Sequence, residues 1–411
     1  MYSLKTINSK KIETIDIVIF LILFLSGSFL TSNDIIPSEV TKLFWLIVVG
    51  LILFKLKKNI IINYYIIGLI ISFVISFIVN PVGIATYFYI CVSVIIAILM
   101  INTWSFQKFR ESYVKILFFL SVFSLIMMAL FYIFPQMNNF FNVYNISKTA
   151  KHANYIIFTK IVNENGFGRN CGMFWEPGAY QTFICIALIF EISKPSPSVR
   201  KIIVFIITIL TTFSTTGYIA LLFVYIYLFF GKYNNKKQIN GFIYLSILCI
   251  TAILILFQDL FFSTQNYTPF GKIILYFTSD VYNSKVSSVS IRINSVVQPI
   301  IVFLNNPLFG VGDIKFRELI FDTTQGVTTG TFVNWFAVYG VFCGSLFMIG
   351  LSKLTKKLSN NRLLNFIIFI IFFIITMSEN YITNTAIIII LLYGFAFNHN
   401  INKNSLNISN V

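Results

Sequence analysis

Runs of about twenty apolar residues, separated by short polar stretches, repeat along almost the whole chain. A bilayer core about 30 Å thick is crossed by roughly 20 apolar residues in helical form, so each run predicts a membrane-spanning helix. About twelve such runs can be recognised, at residues 14–30, 40–54, 60–79, 83–103, 113–134, 177–192, 201–213, 216–231, 240–258, 331–351, 363–378 and 381–397. The pattern therefore predicts an all-α, polytopic integral membrane protein in which residues 1–411 form a single transmembrane domain. The first run lacks a signal-peptide cleavage site and is expected to stay as an anchor.

Composition and charge agree with an integral membrane protein and predict its orientation in the membrane. Of the 411 residues, 57% are hydrophobic and only 11% are charged, whereas soluble domains carry about 25% charged residues. With the loops numbered alternately from an inside N-terminus, one side holds 20 of the 30 basic residues and only four acidic ones, and so the whole net charge of +16. The positive-inside rule makes that side cytoplasmic, with both termini on it. Topology thus explains the charge, and no nucleic-acid partner is expected.

Cysteine and histidine give no indication of a metal site. Four of the five cysteines fall within apolar runs, and the two histidines, His152 and His399, lie far apart in the sequence. Neither a disulfide framework nor a metal held by the protein alone is expected.

Two predicted outer connections, residues 135–176 and 259–330, are much longer than the others. Neither shows an obvious overall strand or helix pattern, and loops of this length are usually functional or disordered. Within the second, residues 290–306 repeat apolar side chains at the i, i+3, i+4, i+7 spacing, which predicts a short amphipathic helix, interfacial or re-entrant. The cytoplasmic connections are short and rich in lysine, so the activity is expected on the outer face.

The first long loop ends in the polar segment GRNCGMFWEPGAYQ, which opens a predicted helix. The proline after Glu176 suits the first helical turn and favours an extended Glu176 at the outer mouth of the helix. Arg169 lies seven residues earlier, and Gly172 allows the backbone to approach a ligand closely. In one interpretation a cation and a carboxylate face one crevice. In the other, Glu176 only stabilises the positive helix end and Trp175 is an ordinary interfacial aromatic residue.

Two further polar segments carry candidate residues. The segment NNPLFGVGD contains Asn306, Gly310 and Gly312, which either form a plain turn or bring backbone amides to an anion. Arg292, on the approach to this turn, would add positive charge. Glu379 lies at the tip of the last helical hairpin, where it is either solvated or, if turned toward the bundle interior, functional.

Together these segments resemble a known family. A multi-spanning protein with R-x-x-G-x-F-x-E-P-G at a helix start and N-P-x-x-G-x-G in a later outer loop is similar to the bacterial polysaccharide polymerases of the Wzy type, which build O antigen or capsule, and to the related O-antigen ligases. The matching residues are Arg169, Gly172, Phe174, Glu176, Pro177 and Gly178, then Asn306, Pro307, Gly310 and Gly312, with Arg292 before the second set. The resemblance covers the topology of the whole chain, but its sequence content is confined to these segments.

The resemblance implies an inverting glycosyl transfer on the outer face of the bacterial cytoplasmic (inner) membrane. The donor would be an oligosaccharide repeat linked to a polyprenyl (undecaprenyl) diphosphate, with no cofactor. Membrane lipid, a flippase and a chain-length regulator are the other implied partners. Arg169 and Arg292 suit stabilisation of the departing diphosphate, and Glu176 suits the base that activates the attacking hydroxyl. The expected substrate contacts are Trp175, Gly172, Asn306, Gly310, Gly312 and Glu379.

Two alternatives stay open. Ligases of the related family use a histidine in the second long outer loop, and residues 259–330 contain none, which favours a polymerase. A flippase or other transporter would have a similar number of helices, with its charges inside a central cavity. It would not need Glu176 beside an outer-face arginine, and no internal repeat of the kind common in transporters is visible.

Overall fold

The computed structural model describes residues 12–57, 59–81, 84–140, 142–147, 150–162, 168–231, 288–324 and 328–396. Helices dominate these ranges. They are α1 (Thr14–Gly27), α2 (Phe29–Ser32), α3 (Ser38–Lys55), α4 (Tyr64–Val79), α5 (Ile84–Thr103), α6 (Phe106–Ile133), α7 (Pro177–Ile192), α8 (Val199–Thr211), α9 (Thr215–Phe230), α10 (Ser288–Asn305), α11 (Asp313–Thr324), α12 (Thr331–Leu358), α13 (Arg362–Thr376) and α14 (Thr385–Leu392), with 3₁₀ turns at Pro135–Phe140 and Tyr393–Phe395.

Eleven of the twelve predicted spans coincide with one of these helices, and the twelfth, residues 240–258, lies outside the described residues. Within the described part of the chain, three helices are long and apolar enough to cross a membrane, and seven shorter helices are apolar. The structure therefore supports a helical membrane protein, whereas the number of twelve crossings stays a prediction.

Two helix ends differ from the sequence prediction for identifiable reasons. Helix α1 ends three residues early because Ser28 is extended and forms an isolated β-bridge with Phe174. Helix α6 begins at residue 106 instead of 113 because the Ser105 side chain accepts a hydrogen bond from the Lys108 amide and caps the helix. The extra turns of α6 reach α1, where the Lys108 ammonium lies 2.6 Å from a Glu13 carboxylate oxygen.

A β-sheet in the first long outer loop corrects the all-α prediction. Strands β1 (Asn142–Ser147), β2 (Ala150–Tyr155), β3 (Phe158–Val162) and β4 (Arg169–Gly172) form an antiparallel meander in the order β1-β2-β3-β4. The β2–β3 hairpin turns at Ile156, which has a left-handed φ of 45°. Asn-Gly or Asp-Gly is the usual sequence signal for such a turn, and isoleucine disfavours this conformation. The sheet packs on α2 through ring contacts of Phe29 with Tyr144 and His152.

Helix α7 lies at the centre of the bundle, with 15 of its 16 residues buried. One end of the bundle carries the sheet, the start of α7 and the α13–α14 turn, and we call it the outer end, following the predicted orientation. The opposite end holds ion pairs such as Lys115 with Asp16 and Lys194 with Glu191, each at 2.5 Å. Ionic groups of both signs thus collect at the end that the charge pattern assigns to the cytoplasm.

The amphipathic helix predicted at residues 290–306 is present as α10. Its narrow buried face packs on α12 and includes Ser295 and Val302. The apolar stripe points away from the protein, at Ile293, Val297, Ile300, Ile301 and Leu304. An apolar face turned outward is what a helix at a membrane surface requires.

Candidate functional site

A cavity of about 550 Å³ opens at the outer end, within the range of about 300–1,000 Å³ that is usual for ligand pockets. It lies between the α1–α3 region, Trp175 and the α13–α14 turn, and we call it the outer cavity. Its lining consists of Leu25, Ser26, Thr31, Ser32, Asp34, Ile36, Ser38, Thr41, Trp45, Tyr89, Trp175, Thr328, Glu379, Asn380, Thr383, Asn384 and Thr385. Hydroxyl and amide side chains predominate, accompanied by three aromatic rings and two carboxylates. None of these described lining residues is a lysine, an arginine or a histidine.

Trp175 reaches the outer cavity because the segment after β4 is fixed to the end of α1. The Phe29 amide donates to the Met173 carbonyl at 2.8 Å, which extends the bridge at Ser28. Gly27 leaves room for the indole, since a Cβ there would lie 3.1 Å from Trp175 Cζ3. The prediction that Trp175 contacts a substrate is therefore compatible with its place in the cavity wall.

Glu379 also lines the outer cavity, and its carboxylate lies against the first turn of α7. The Glu379 backbone carbonyl accepts a hydrogen bond from the Thr331 hydroxyl at 2.8 Å, which fixes the hairpin tip to the start of α12. A Cβ at Gly178 would overlap with Glu379 Oε1, so the glycine of the Glu-Pro-Gly sequence provides the space that this carboxylate occupies. Glu379 is thus directed into the protein rather than left at a solvated tip.

Glu176 is extended, as predicted, with φ −145° and ψ 157°, and it precedes the first residue of α7. Its exposed side chain makes no capping hydrogen bond. The interpretation in which Glu176 only stabilises the positive end of α7 is therefore not supported by a capping contact. The buried ring of Tyr381 lies behind this part of the site, with its centroid 6.0 Å from the ring of Trp175. Glu379 is thus in the cavity wall, and Glu176 is next in sequence to the wall residue Trp175.

Arg169 does not line the outer cavity. Its Nε donates to the Thr212 carbonyl at 3.1 Å and its Nη2 to the Phe213 carbonyl at 3.3 Å, at the C-terminal end of α8. A cation is favourable at that end of a helix. Gly172 has a positive φ of 54°, and a Cβ there would lie 2.6 Å from the ring of Tyr180. These contacts give both residues structural roles, and their predicted roles in substrate binding and catalysis stay predictions.

The glycine-rich segment NNPLFGVGD docks into a break in α12 at Gly340, where φ is 82°. The Gly310 amide donates to the Asn306 carbonyl at 3.1 Å, and the Gly312 amide donates to the Val338 carbonyl at 3.0 Å. These amides are occupied within the protein, so the geometry favours the plain turn over an anion-binding loop. Substrate contact by the three candidate residues here stays a prediction.

Arg292 lies in α10, and its side chain is outside the described part of the structure. One turn later on α10, the Ser295 hydroxyl is hydrogen-bonded to the Thr329 hydroxyl. The preceding residue, Thr328, lines the outer cavity and binds Asn380 Nδ2 at 2.7 Å. The start of α10 is therefore tied to the rim of the cavity.

One wall of the outer cavity, formed by the connection between α1 and α3 and by the first half of α3, was not predicted from the sequence. This wall includes Asp34, Ser38, Thr41 and Trp45. The polar segment TSNDIIPSEVTK was the available signal, but it had the length of an ordinary outer turn. Among the described residues, no group of three or more histidine, cysteine, aspartate or glutamate side chains could hold a metal ion.

Comparison with known proteins supports the reaction class. A sequence model of the family described as O-antigen ligase matches residues 202–348, which include most of α8, all of α9–α11 and most of α12. The match supports the O-antigen ligase/polymerase superfamily and glycan transfer, without distinguishing a polymerase from a ligase. It covers Arg292 and the glycine-rich segment, but not Glu176 or Glu379. A search of curated proteins found no match.

Proposed function

We propose that this protein is a polysaccharide polymerase that joins oligosaccharide repeats linked to polyprenyl diphosphate on the outer face of the bacterial cytoplasmic membrane. The observation that carries the proposal is the outer cavity, where Trp175, Glu379 and a wall of hydroxyl and amide groups come together beside Glu176. The family match supports glycan transfer, and the predicted orientation supports the outer face.

The chemistry requires a base in contact with the acceptor sugar. An acceptor hydroxyl oxygen forms a bond to the anomeric carbon of the donor, with inversion. The bond from that carbon to the diphosphate oxygen breaks, and the diphosphate leaves with the electron pair. The hydroxyl proton passes to a carboxylate. Glu379 is the first candidate because its side chain lines the cavity, and Glu176 beside the rim is the second.

The departing diphosphate requires positive charge, which the described cavity lining does not supply. We assign this role to Arg292 before Arg169, because α10 is tied to the cavity rim whereas the Arg169 guanidinium holds the end of α8. An arginine grips a diphosphate through two parallel hydrogen bonds, and a lysine offers a point charge. Arg292→Lys should therefore keep part of the activity and Arg292→Ala almost none. Full activity of the lysine variant would indicate a simple membrane anchor.

Glu379→Gln and Glu176→Gln test the proposal in cells. Loss of a catalytic proton acceptor typically costs about 10²–10⁴ in rate, so Glu379→Gln should leave single lipid-linked repeats on the outer leaflet. Glu318→Gln, an exposed glutamate on α11, is the matched control and should make normal polymer. Repeats trapped on the inner leaflet would instead indicate a flippase.

A ligase is the second candidate, because the matching family is described as O-antigen ligase. The products distinguish the two functions. Loss of a ligase leaves long polymer on the polyprenyl lipid, whereas loss of a polymerase leaves single repeats. Accumulation of long lipid-linked polymer in Glu379→Gln would refute the polymerase proposal.

A further inference from the structure

The outer cavity has a charge character that restricts its occupant. Asp34 and Glu379 are its two ionisable acids, and no basic side chain is among its described lining residues. A diphosphate, or a sugar that carries a carboxylate or phosphate, would meet like charges there and lose water, and none of the described lining residues offers it a counter-charge. An uncharged or amino sugar would meet no such penalty.

The polar side chains that line the cavity are of two kinds. Some are hydrogen-bonded within the wall, and the others, which we call the open set, make no hydrogen bond among the described contacts. Asn384 Nδ2 donates to the Ser26 carbonyl at 2.7 Å, and its Oδ1 accepts from the Ile387 amide at 3.1 Å, so this side chain holds the wall together. Asn380 is likewise occupied at both ends of its amide, because its Nδ2 donates to the Thr328 hydroxyl and its Oδ1 accepts from the Ile382 amide. By contrast, the exposed side chains of Ser32, Asp34 and Thr383 make no hydrogen bond among the described contacts.

The open set matches the hydrogen-bonding pattern of a sugar. Hydroxyl groups both donate and accept, and a carboxylate accepts from two hydroxyls at once. Two indole rings, Trp45 and Trp175, complete the lining with flat apolar surface that carries a polar N–H. Sugar rings have the same division, with hydroxyls at the edge and C–H groups on the faces.

From these observations we infer that the outer cavity binds the acceptor sugar of the repeat, separately from the diphosphate, and that it selects sugars without negative charge. The α1–α3 wall, through Asp34 and Trp45, is the specificity-determining part of the site. The identification of this sugar as the acceptor rests on the proposed function. The binding of an uncharged sugar is inferred from the cavity lining alone.

The test uses the repeat oligosaccharide released from its lipid by mild acid, which lacks the diphosphate. In a background with Cys91 and Cys249 replaced by serine, Ser38→Cys at the cavity wall is labelled with an impermeant maleimide. The released oligosaccharide should slow this labelling at least tenfold, and should leave Tyr155→Cys on the sheet unaffected. Inorganic pyrophosphate should not protect Ser38→Cys.

Two variants and a modified probe test the charge selection. Asp34→Asn and Trp45→Ala should each raise the oligosaccharide concentration needed for half protection about tenfold, whereas Asp322→Asn and Phe54→Ala should not. The oligosaccharide with its primary hydroxyls oxidised to carboxylates should protect at least tenfold less well than the parent. In Asp34→Asn, protection by the oxidised oligosaccharide should come closer to protection by the parent, because one negative charge of the wall is removed.

Several results would overturn the inference: no protection by the released oligosaccharide, protection by pyrophosphate, equal protection by the oxidised oligosaccharide, or unchanged binding in both Asp34→Asn and Trp45→Ala. Labelling requires no turnover. The experiment therefore tests the sugar site independently of the proposed function. Protection without polymer synthesis by the wild-type protein would remove the proposed function and keep the sugar site. Polymer synthesis without protection would do the reverse.

Discussion

Adding one methyl group at Gly178 should displace the Glu379 carboxylate and leave the fold intact. The three nearest atoms to a Cβ at this position all belong to Glu379, with Cδ at 3.3 Å and Oε1 overlapping, whereas ordinary contacts begin at 3.4 Å. The carboxylate must therefore retreat by roughly 1 Å, and a misplacement of about 1 Å can cost about 10² in rate. The start of the helix should tolerate the change, because alanine has a higher helix propensity than glycine.

The assay is the initial rate of polymer formation by purified protein from purified lipid-linked repeats. Gly178→Ala should be about 10²-fold slower than wild type, and Glu379→Gln about 10²–10⁴-fold slower. The double variant should be no slower than Glu379→Gln, because the methyl group acts only through the carboxylate. Gly68→Ala is the matched control, since its Cβ would meet only Leu346 at 3.7 Å.

Two results would refute this reasoning. If Gly178→Ala keeps the wild-type rate while Glu379→Gln is inactive, the rate does not depend on the position of the Glu379 carboxylate against α7. If the two losses multiply in the double variant, the methyl group damages something other than Glu379. Thermal unfolding in detergent separates either result from a folding defect.

Three further predictions concern stability and topology. Arg169→Ala should lower the free energy of unfolding by about 1–3 kcal/mol, because two backbone carbonyls lose a charged donor; an unchanged melting temperature would contradict this. Gly340→Ala should cost at least about 2 kcal/mol and reduce detergent-stable protein, because the new Cβ would overlap the backbone of the docked glycine-rich segment; recovery equal to that of Gly68→Ala would disprove it. A cysteine at Tyr155 should react with an impermeant thiol reagent outside intact cells and one at Asn360 should not, and the opposite result would invert the orientation.

Most of the helical fold was predictable because a membrane leaves the backbone few choices. In lipid every amide and carbonyl must be paired within the element, so a long apolar run becomes a helix. The span predicted at residues 177–192 agrees with α7 at both ends. The break at Gly340 was not predicted, because the loop that fills it comes from another part of the chain.

The sheet and half of the cavity were not predictable, for a different reason. The β2–β3 hairpin has an isoleucine, Ile156, at its left-handed position, so the usual glycine or asparagine signal is missing. Trp175 and Glu379 were recognisable as polar or aromatic interruptions of apolar sequence, and both line the cavity. Asp34 and Trp45 face them only because α1 packs against α14, which no local pattern reveals.

The outer cavity also has a consequence for biosynthesis. Its walls meet where Asn384 binds the Ser26 carbonyl, a contact between residues 358 positions apart. The α1–α3 wall is synthesised first, whereas the α13–α14 wall follows after ten further helices of the described chain. A chain that stalls during membrane insertion therefore holds only half of the cavity. Under the proposed function, unfinished copies in the membrane would lack the sugar-binding site, which is complete only when the α13–α14 hairpin is in place.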